Sequence, residues 1–463
     1  MKRSGFVALA LLPILLAGGC STAVKPLMPT PVIFAQRNLD PVGHVPEAER
    51  FPNRRVYYAT TRTRVSDHRK IDYGNRPSDV VSVGLSLIAF GNPSLTWDQL
   101  RTATSHADRD GVVELSVNGL VEAGAFTAEM SPQEAARGGN AGWWLNDLRD
   151  SIDDARDRDL LIYVHGAKVD FYNGNAFAAQ LDHFMGRDMT SLAFCWPTRQ
   201  NILAYSFGDD VNRAYHAADS LATLIEVVAA STPARRIHIV CWSAGARVVT
   251  TAMTTLRERH PELDDETLKA RFRLGTAYFA AGDIPRDEFL EALPTLCAMS
   301  DRVIVSVSSA DSALISAKVF MGGATRIGQR GDMPSEQILE QLAELDGFEF
   351  IDVSLGKETR GFNMAGHEYW FSNPWASSDV LLAVRSDLPP RTTRLGPRRI
   401  AVRVLLPEGL PATLKRPAPA SAAAEDGGGA VGCRVGVDEG LPCRVIHTDR
   451  DTFAKKIPAF GIN

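Results

Sequence analysis

The chain has 463 residues and a formal net charge of −5, with apolar and charged fractions of 45% and 23% that fit an ordinary globular protein. The acidic balance argues against nucleic acid as a partner, so the basic cluster Arg391, Arg394, Arg398 and Arg399 reads as a solvated edge. A P-loop, a zinc-helix motif and paired C-x-x-C are all missing, so no cofactor or metal is expected.

The first twenty residues read as an export signal. Lys2 and Arg3 give a positive start, Phe6 to Leu16 form an apolar run broken by Pro13, and Ala17-Gly18-Gly19-Cys20 supplies small residues ending in a cysteine. The run is too short to span a bilayer. It resembles a bacterial lipoprotein signal, which implies lipidation of Cys20. Ser21 after it implies the outer membrane, so a lipid-anchored protein of the bacterial cell envelope facing the periplasm is expected. A simple cleaved secretory signal is the alternative, because Ala17 is less usual there than leucine. Loss of Lys2 and Arg3 takes the net charge from −5 to −7. Residues 21–50, with Pro26, Pro29, Pro31 and Pro41, are expected to form an extended tether.

Residues 51–406 are expected to fold as one main α/β domain with an N-terminal β extension. Arg54–Thr61 and Val80–Phe90 read as two early strands, and Val112–Phe126 as a hairpin. Trp143–Asp157 has helical spacing. Leu160–Val164 (LLIYV) is continuously apolar, as a central parallel strand buried on both faces should be. A helix near Ala176–Met185, a strand at Ser191–Cys195 and a long helix at Asp210–Ala230 follow. Further strands are expected at Leu274–Ala280, Val303–Ser308 and Phe348–Val353, with helices between. This alternation implies a mostly parallel, doubly wound sheet with helices on both faces. A short strand-like piece, Ile400–Leu406, precedes the low-complexity tail 407–463, whose tract 416–431 is rich in Ala, Pro and Gly. Cys433 and Cys443 in that tail are the best candidates for a disulfide. Cys195, Cys241 and Cys297 read as buried free thiols, the first two being too far apart to bond if they flank a third strand.

The stretch 236–252 organises the rest. A β-branched run (Ile237, Ile239, Val240) meets a small-residue turn carrying Ser243, and an apolar helix pattern follows at once. A serine in such a strand-turn-helix unit is thrust out at the carboxyl edge of the sheet. The turn reads C-x-S-x-G, with Cys241 where the nucleophile-elbow pattern usually has glycine. Ser82, Ser206 and Ser354 also begin an S-x-G, but Ser243 alone lies between a β-rich run and a helical one.

A serine hydroxyl needs a base, and the base needs an orienting carboxylate. In the α/β-hydrolase layout the chain order is Ser, then Asp or Glu, then His. Asp311 follows the strand Val303–Ser308, with Asp283 and Asp352 as rivals. Beyond Asp311 only His367 and His447 remain, and His367 follows the last strand. His238 and His260 read as structural. Oxyanion donors are expected from the Ala244 amide at the helix start and from Gly166 or Ala167 after Val164. His165 reads as a loop-orienting residue. Trp196 either shapes an acyl pocket with Trp242 and Phe171 or merely packs its loop.

The runs VYYATTR (56–62), YVHGAKVDF (163–171), FCWPTR (194–199), HIVCWSAGAR (238–247), SSADSAL (308–314) and GHEYW (366–370) together resemble one family. It is the α/β-hydrolase family of unknown function often described as lipase- or esterase-like, and the similarity covers about Val56 to Val380. Members commonly have H-S-M-G around the serine, so Trp242 here replaces a histidine and Ala244 a methionine. The resemblance implies an α/β-hydrolase fold with Ser243 as nucleophile, Asp311 as orienting acid and His367 as base. The expected function is hydrolysis of a carboxylic ester, of a small molecule or a lipid, through an acyl-enzyme. Transfer of the acyl group to an alcohol or amine is one alternative. A non-catalytic envelope protein using the fold for binding or scaffolding is the other.

Overall fold

In a computed structural model of the protein, the described residues are 25–35, 39–65, 71–137, 141–200, 208–308, 311, 314, 324–329, 342, 345–353, 367–386, 392–395 and 398–401. Among them one sheet contains β1 (Lys25–Pro26), β2 (Asn53–Arg64), β3 (Tyr73–Phe90), β4 (Glu114–Thr127) and β5 (Leu160–Val164). It continues with β6 (Thr190–Cys195), β7 (Ile237–Trp242), β8 (Leu274–Ala280), β9 (Ser300–Val307) and β10 (Phe348–Asp352). The order across the sheet is β1-β4-β3-β2-β6-β5-β7-β8-β9-β10. From β2 to β10 every neighbouring pair is parallel, whereas β1, β4 and β3 join in antiparallel fashion. β11 (Thr392–Leu395) and β12 (Arg398–Ala401) make a separate antiparallel pair.

The central strand shows why its sequence lacks polar alternation. Leu160, Ile162 and Val164 enter one core with the helices Ala141–Asp154, Asp209–Ser231, Gly245–Arg259 and Arg286–Met299. Leu161 and Tyr163 enter the other, beneath the helices Phe171–Phe184 and Pro374–Arg385. Both faces of β5 are therefore dry, and each residue gains from being apolar. Cys195 and Cys241 lie on β6 and β7, which flank β5, and both are free and buried. Burial pushes the Cys195 thiol up to about 12 and Cys241 well above its ordinary value, so neither is poised to react. Cys297 is a free thiol too, half-buried and also raised to about 12 by burial.

Two expectations are corrected. The segment 112–126 is no hairpin: from Glu114 on it runs in the single strand β4, paired with β3 from Val80↔Thr127 to Phe90↔Leu115. Gly119, which interrupts the apolar pattern, sits opposite Leu87, and a register shift between Leu87 and Ile88 absorbs the irregularity. The described part of 21–50 is no tether either. Leu27, Met28, Ile33, Phe34, Val42 and Val45 are buried in the second core. The Leu27 amide donates to Val113 O at 2.7 Å and the Met28 amide to Gln180 Oε1 at 2.9 Å. Prolines prevent a long helix but not burial, and the apolar residues between them cover a sheet face that would otherwise meet water.

The export segment with Cys20 and the tail 407–463 with Cys433 and Cys443 lie outside the described residues, as does 402–406 of the last strand-like piece. Among the described residues no helix is long and apolar enough to cross a membrane, and no cluster of His, Cys, Asp and Glu is arranged to hold a metal ion.

Candidate active site

Ser243 sits in the turn between β7 and the helix Gly245–Arg259 with φ 53°, a left-handed conformation that a residue with a Cβ rarely adopts. Its backbone is held on both sides. The Ser243 amide donates to Ala280 O at 3.0 Å, while its carbonyl accepts from the Ala246 and Asp283 amides at 3.0 and 2.9 Å. The turn works only with small neighbours: a Cβ at position 245 would stand 2.7 Å from Val164 O, and one at 166 would stand 2.9 Å from the Ser243 Cβ. The closed strand-to-helix packing thus requires both glycines, whereas Cys241 fits where the elbow pattern usually has its first glycine.

Asp311 follows β9 and His367 follows β10, both at the sheet edge where Ser243 emerges. His367 Nε2 lies 2.8 Å from Ser243 Oγ, and His367 Nδ1 lies 2.8 Å from Asp311 Oδ2. The other carboxylate oxygen, Oδ1, accepts from the Leu314 amide at 3.0 Å. With Nδ1–H donating to the carboxylate, Nε2 is left to accept from the serine hydroxyl. Exposures of 7% for Ser243, 1% for Asp311 and 5% for His367 leave little water to weaken these bonds. Burial by itself would lower the His367 pKa, but the charge and hydrogen bond of Asp311 outweigh it and raise it above the usual histidine value.

The rival carboxylates are placed differently. Asp283 Oδ1 lies 2.9 Å from Arg326 Nε and 3.7 Å from Arg247 Nη2, so it belongs to a buried ion-pair cluster beside the serine turn. Asp352 ends β10, and its side chain lies outside the described residues. His238 accepts the Thr276 amide on Nδ1 at 3.0 Å within the sheet, and His260 Nε2 pairs with Glu226 at 2.7 Å. His447 lies outside the described residues.

Ala244 stands at the start of the helix Gly245–Arg259, where amides face outward and the dipole favours an anion. In the loop after β5 the His165 ring is buried, stacks on Trp196 at 5.4 Å, and has Nδ1 2.7 Å from Gly166 O. Burial, with the nearby Arg62 guanidinium, pulls His165 down to about 3, so the ring binds a proton weakly. In a trans peptide the carbonyl of one residue and the amide of the next point opposite ways. Pinning Gly166 O therefore sets the direction of the Ala167 amide.

Of the three aromatic residues expected at a pocket, Trp242 alone touches the histidine. Its ring lies 5.6 Å from that of His367, and its Nε1 donates to His367 O at 3.2 Å. Trp196 is wholly buried, with Nε1 donating to His165 O at 2.7 Å, so of its two expected roles it fills the loop-packing one. Phe171 is corrected to a core residue, packed 5.1 Å from Tyr58 and 4.7 Å from Tyr73. Nothing in the sequence singles out Tyr369 beyond its place in the run GHEYW. Its hydroxyl accepts from the Ala281 amide at 2.9 Å and donates to Ser306 O at 2.7 Å, tying the histidine segment to β8 and β9.

A mostly parallel sheet wound on both faces, with a serine elbow at its carboxyl edge, is the α/β-hydrolase fold. The model of the family described as alpha/beta hydrolase of unknown function (DUF900) matches residues 144–385, and the chain belongs to that family. Among solved structures the chain is similar to an esterase of Pyrobaculum calidifontis, in its monoclinic form, at 11% identity. The likeness covers 56% of this chain and 94% of that one, with a TM-score of 0.27, a level that says nothing about chemistry. No curated protein matches the chain in sequence.

Proposed function

We propose that the protein is a serine hydrolase that cleaves a carboxylic ester through an acyl-enzyme. The observation that carries this is the unbroken chain of two 2.8 Å contacts from Ser243 Oγ through His367 to Asp311. His367 takes the proton from the Ser243 hydroxyl as Oγ attacks the ester carbonyl, and Asp311 stabilises the imidazolium that forms. The tetrahedral oxyanion is held by the Ala244 amide and by an amide of Gly166 or Ala167. His367 then protonates the leaving alcohol, and water attacks the acyl-enzyme by the same route in reverse. The Trp242 ring, 5.6 Å from that of His367, suits an acyl group with apolar surface to lay against it.

A fluorophosphonate probe should attach covalently to the wild-type chain, and mass spectrometry should place the adduct on Ser243. A folded protein left unlabelled by an excess of probe would sink this reading. Among p-nitrophenyl esters of rising chain length, turnover identifies the acyl size preferred, and added alcohol that diverts product into a new ester would mark acyl transfer. The location follows from the first twenty residues: Cys20 is lipidated and holds the enzyme on the outer membrane, facing the periplasm. Labelled palmitate should enter the wild type and not Cys20→Ala, whose release into the soluble periplasmic fraction is expected; equal membrane retention of both would exclude the anchor.

A further inference from the structure

Residues 165–170 run from the end of β5 to the helix Phe171–Phe184 and carry Gly166 and Ala167. In the middle, Lys168 has φ 62°, a left-handed conformation that persists only where the surroundings hold it. The hold is on the next residue. Val169 O accepts from Arg62 Nη2 at 2.7 Å and from Thr198 Oγ1 at 2.9 Å, while Arg62 Nη1 donates to Gly74 O at 3.1 Å.

Arg62 is 2% exposed, and among the described residues no carboxylate lies within ion-pairing distance of it. It reaches the loop because the pairing of β2 with β3 shifts register on both sides of it, between Thr60 and Arg62 and between Arg62 and Arg64. Such irregularities re-aim a side chain. Burial pulls its pKa down to about 10, which leaves it charged near neutral pH. A buried cation met by backbone carbonyls is a poor device for stability alone, since an apolar side chain fills the same space without the desolvation cost. A planar fork that bonds two carbonyls at once is, however, a good device for fixing one loop against a strand.

We propose that Arg62 is a positioning residue for the reaction: by gripping the Val169 carbonyl from β2, it holds the strained 165–170 loop so that the Gly166 or Ala167 amide meets the oxyanion. This rests on the assignment of Ser243 as nucleophile made above.

The test compares full-length wild type, Arg62→Lys, Arg62→Ala, Thr198→Val and Ser243→Ala. For each, kcat and KM for a p-nitrophenyl ester, the rate of fluorophosphonate labelling and Tm are measured. Lysine keeps the charge but not the fork, and a donor displaced by about 1 Å costs about a hundredfold in rate. Arg62→Lys should therefore lose about tenfold to a hundredfold in kcat and in labelling rate, with KM within about twofold. Guanidinium ion at millimolar concentration should restore part of the kcat of Arg62→Ala and none of that of Ser243→Ala. Thr198→Val, which leaves one donor on the same carbonyl, should lose several-fold. A folded Arg62→Lys with wild-type kcat and labelling rate overturns the proposal, as does a loss confined to Tm. Should Arg62→Lys not fold, an unchanged Thr198→Val overturns it and a slowed one supports it. A wild type that neither labels nor turns over any ester overturns the nucleophile assignment and this proposal together. A labelled wild type with unaffected variants overturns this proposal alone.

Discussion

Replacing Ser243 with alanine is expected to lower kcat for a p-nitrophenyl ester by as much as about 10⁶, which is about 8 kcal/mol of transition-state stabilisation. In the proposed mechanism the loss is large because without Oγ no acyl-enzyme forms, and His367 and Asp311 have nothing to activate. A residue of about 10³–10⁴ over the uncatalysed rate should survive, from substrate binding and the oxyanion amides. Folding should be almost untouched. The φ of 53° is imposed by the bonds of the backbone to Ala280 O and from the Asp283 amide, and alanine meets the same strain as serine. Stopped-assay kinetics beside a thermal melt measure both quantities. A variant within about a hundredfold of wild type would mean that another group attacks the ester. A scaffold that merely uses the fold predicts no difference at all.

The second large effect belongs to Asp311. Asparagine in its place keeps the shape but offers an amide where His367 Nδ1–H needs an acceptor charge, so kcat should fall by about 10⁴. The pH dependence should change in a defined direction. In the proposed mechanism His367 must be neutral to take the serine proton, so wild-type activity is expected to be lost as pH falls through its raised pKa. Without Asp311 the largest raising influence goes, the smaller ones of Asp283 and Glu368 stay, and burial, which lowers the pKa, remains. The acid limb of kcat/KM in Asp311→Asn should therefore move to lower pH, on a plateau far below that of the wild type. A limb that stays in place, with a loss under about tenfold, would reject Asp311 as the orienting acid. The same profile for Asp283→Asn would then show whether the carboxylate in the loop after β8 has that role.

How far the sequence carried these assignments depended on how local the governing contacts are. LLIYV and the small residues around Ser243 state their conformation in their own composition, since a strand dry on both faces and a turn crowded on both sides tolerate few alternatives. His367 could be found by chain order because few histidines remain after Asp311. Trp196 and Phe171 were different. An aromatic residue near a nucleophile looks the same in sequence whether it faces substrate or fills a core, and the stacking of Trp196 on His165 and of Phe171 against Tyr58 and Tyr73 is decided by residues far along the chain. Likewise prolines in 21–50 advertise an irregular backbone but are silent on whether the apolar residues between them find a surface to cover.

The amino-acid sequence by itself therefore determined the alternation of strands and helices, the serine turn and the order of the three candidate residues, because each depends on periodicity or on steric demands within a few residues. Only the tertiary structure decided that β4 is one strand, that Leu27, Met28, Ile33, Phe34, Val42 and Val45 enter the second core, and that Arg62 ends on the carbonyl of Val169. Those outcomes turn on which surfaces meet when distant segments pack, and burial energy between remote residues leaves no mark in the local pattern of either.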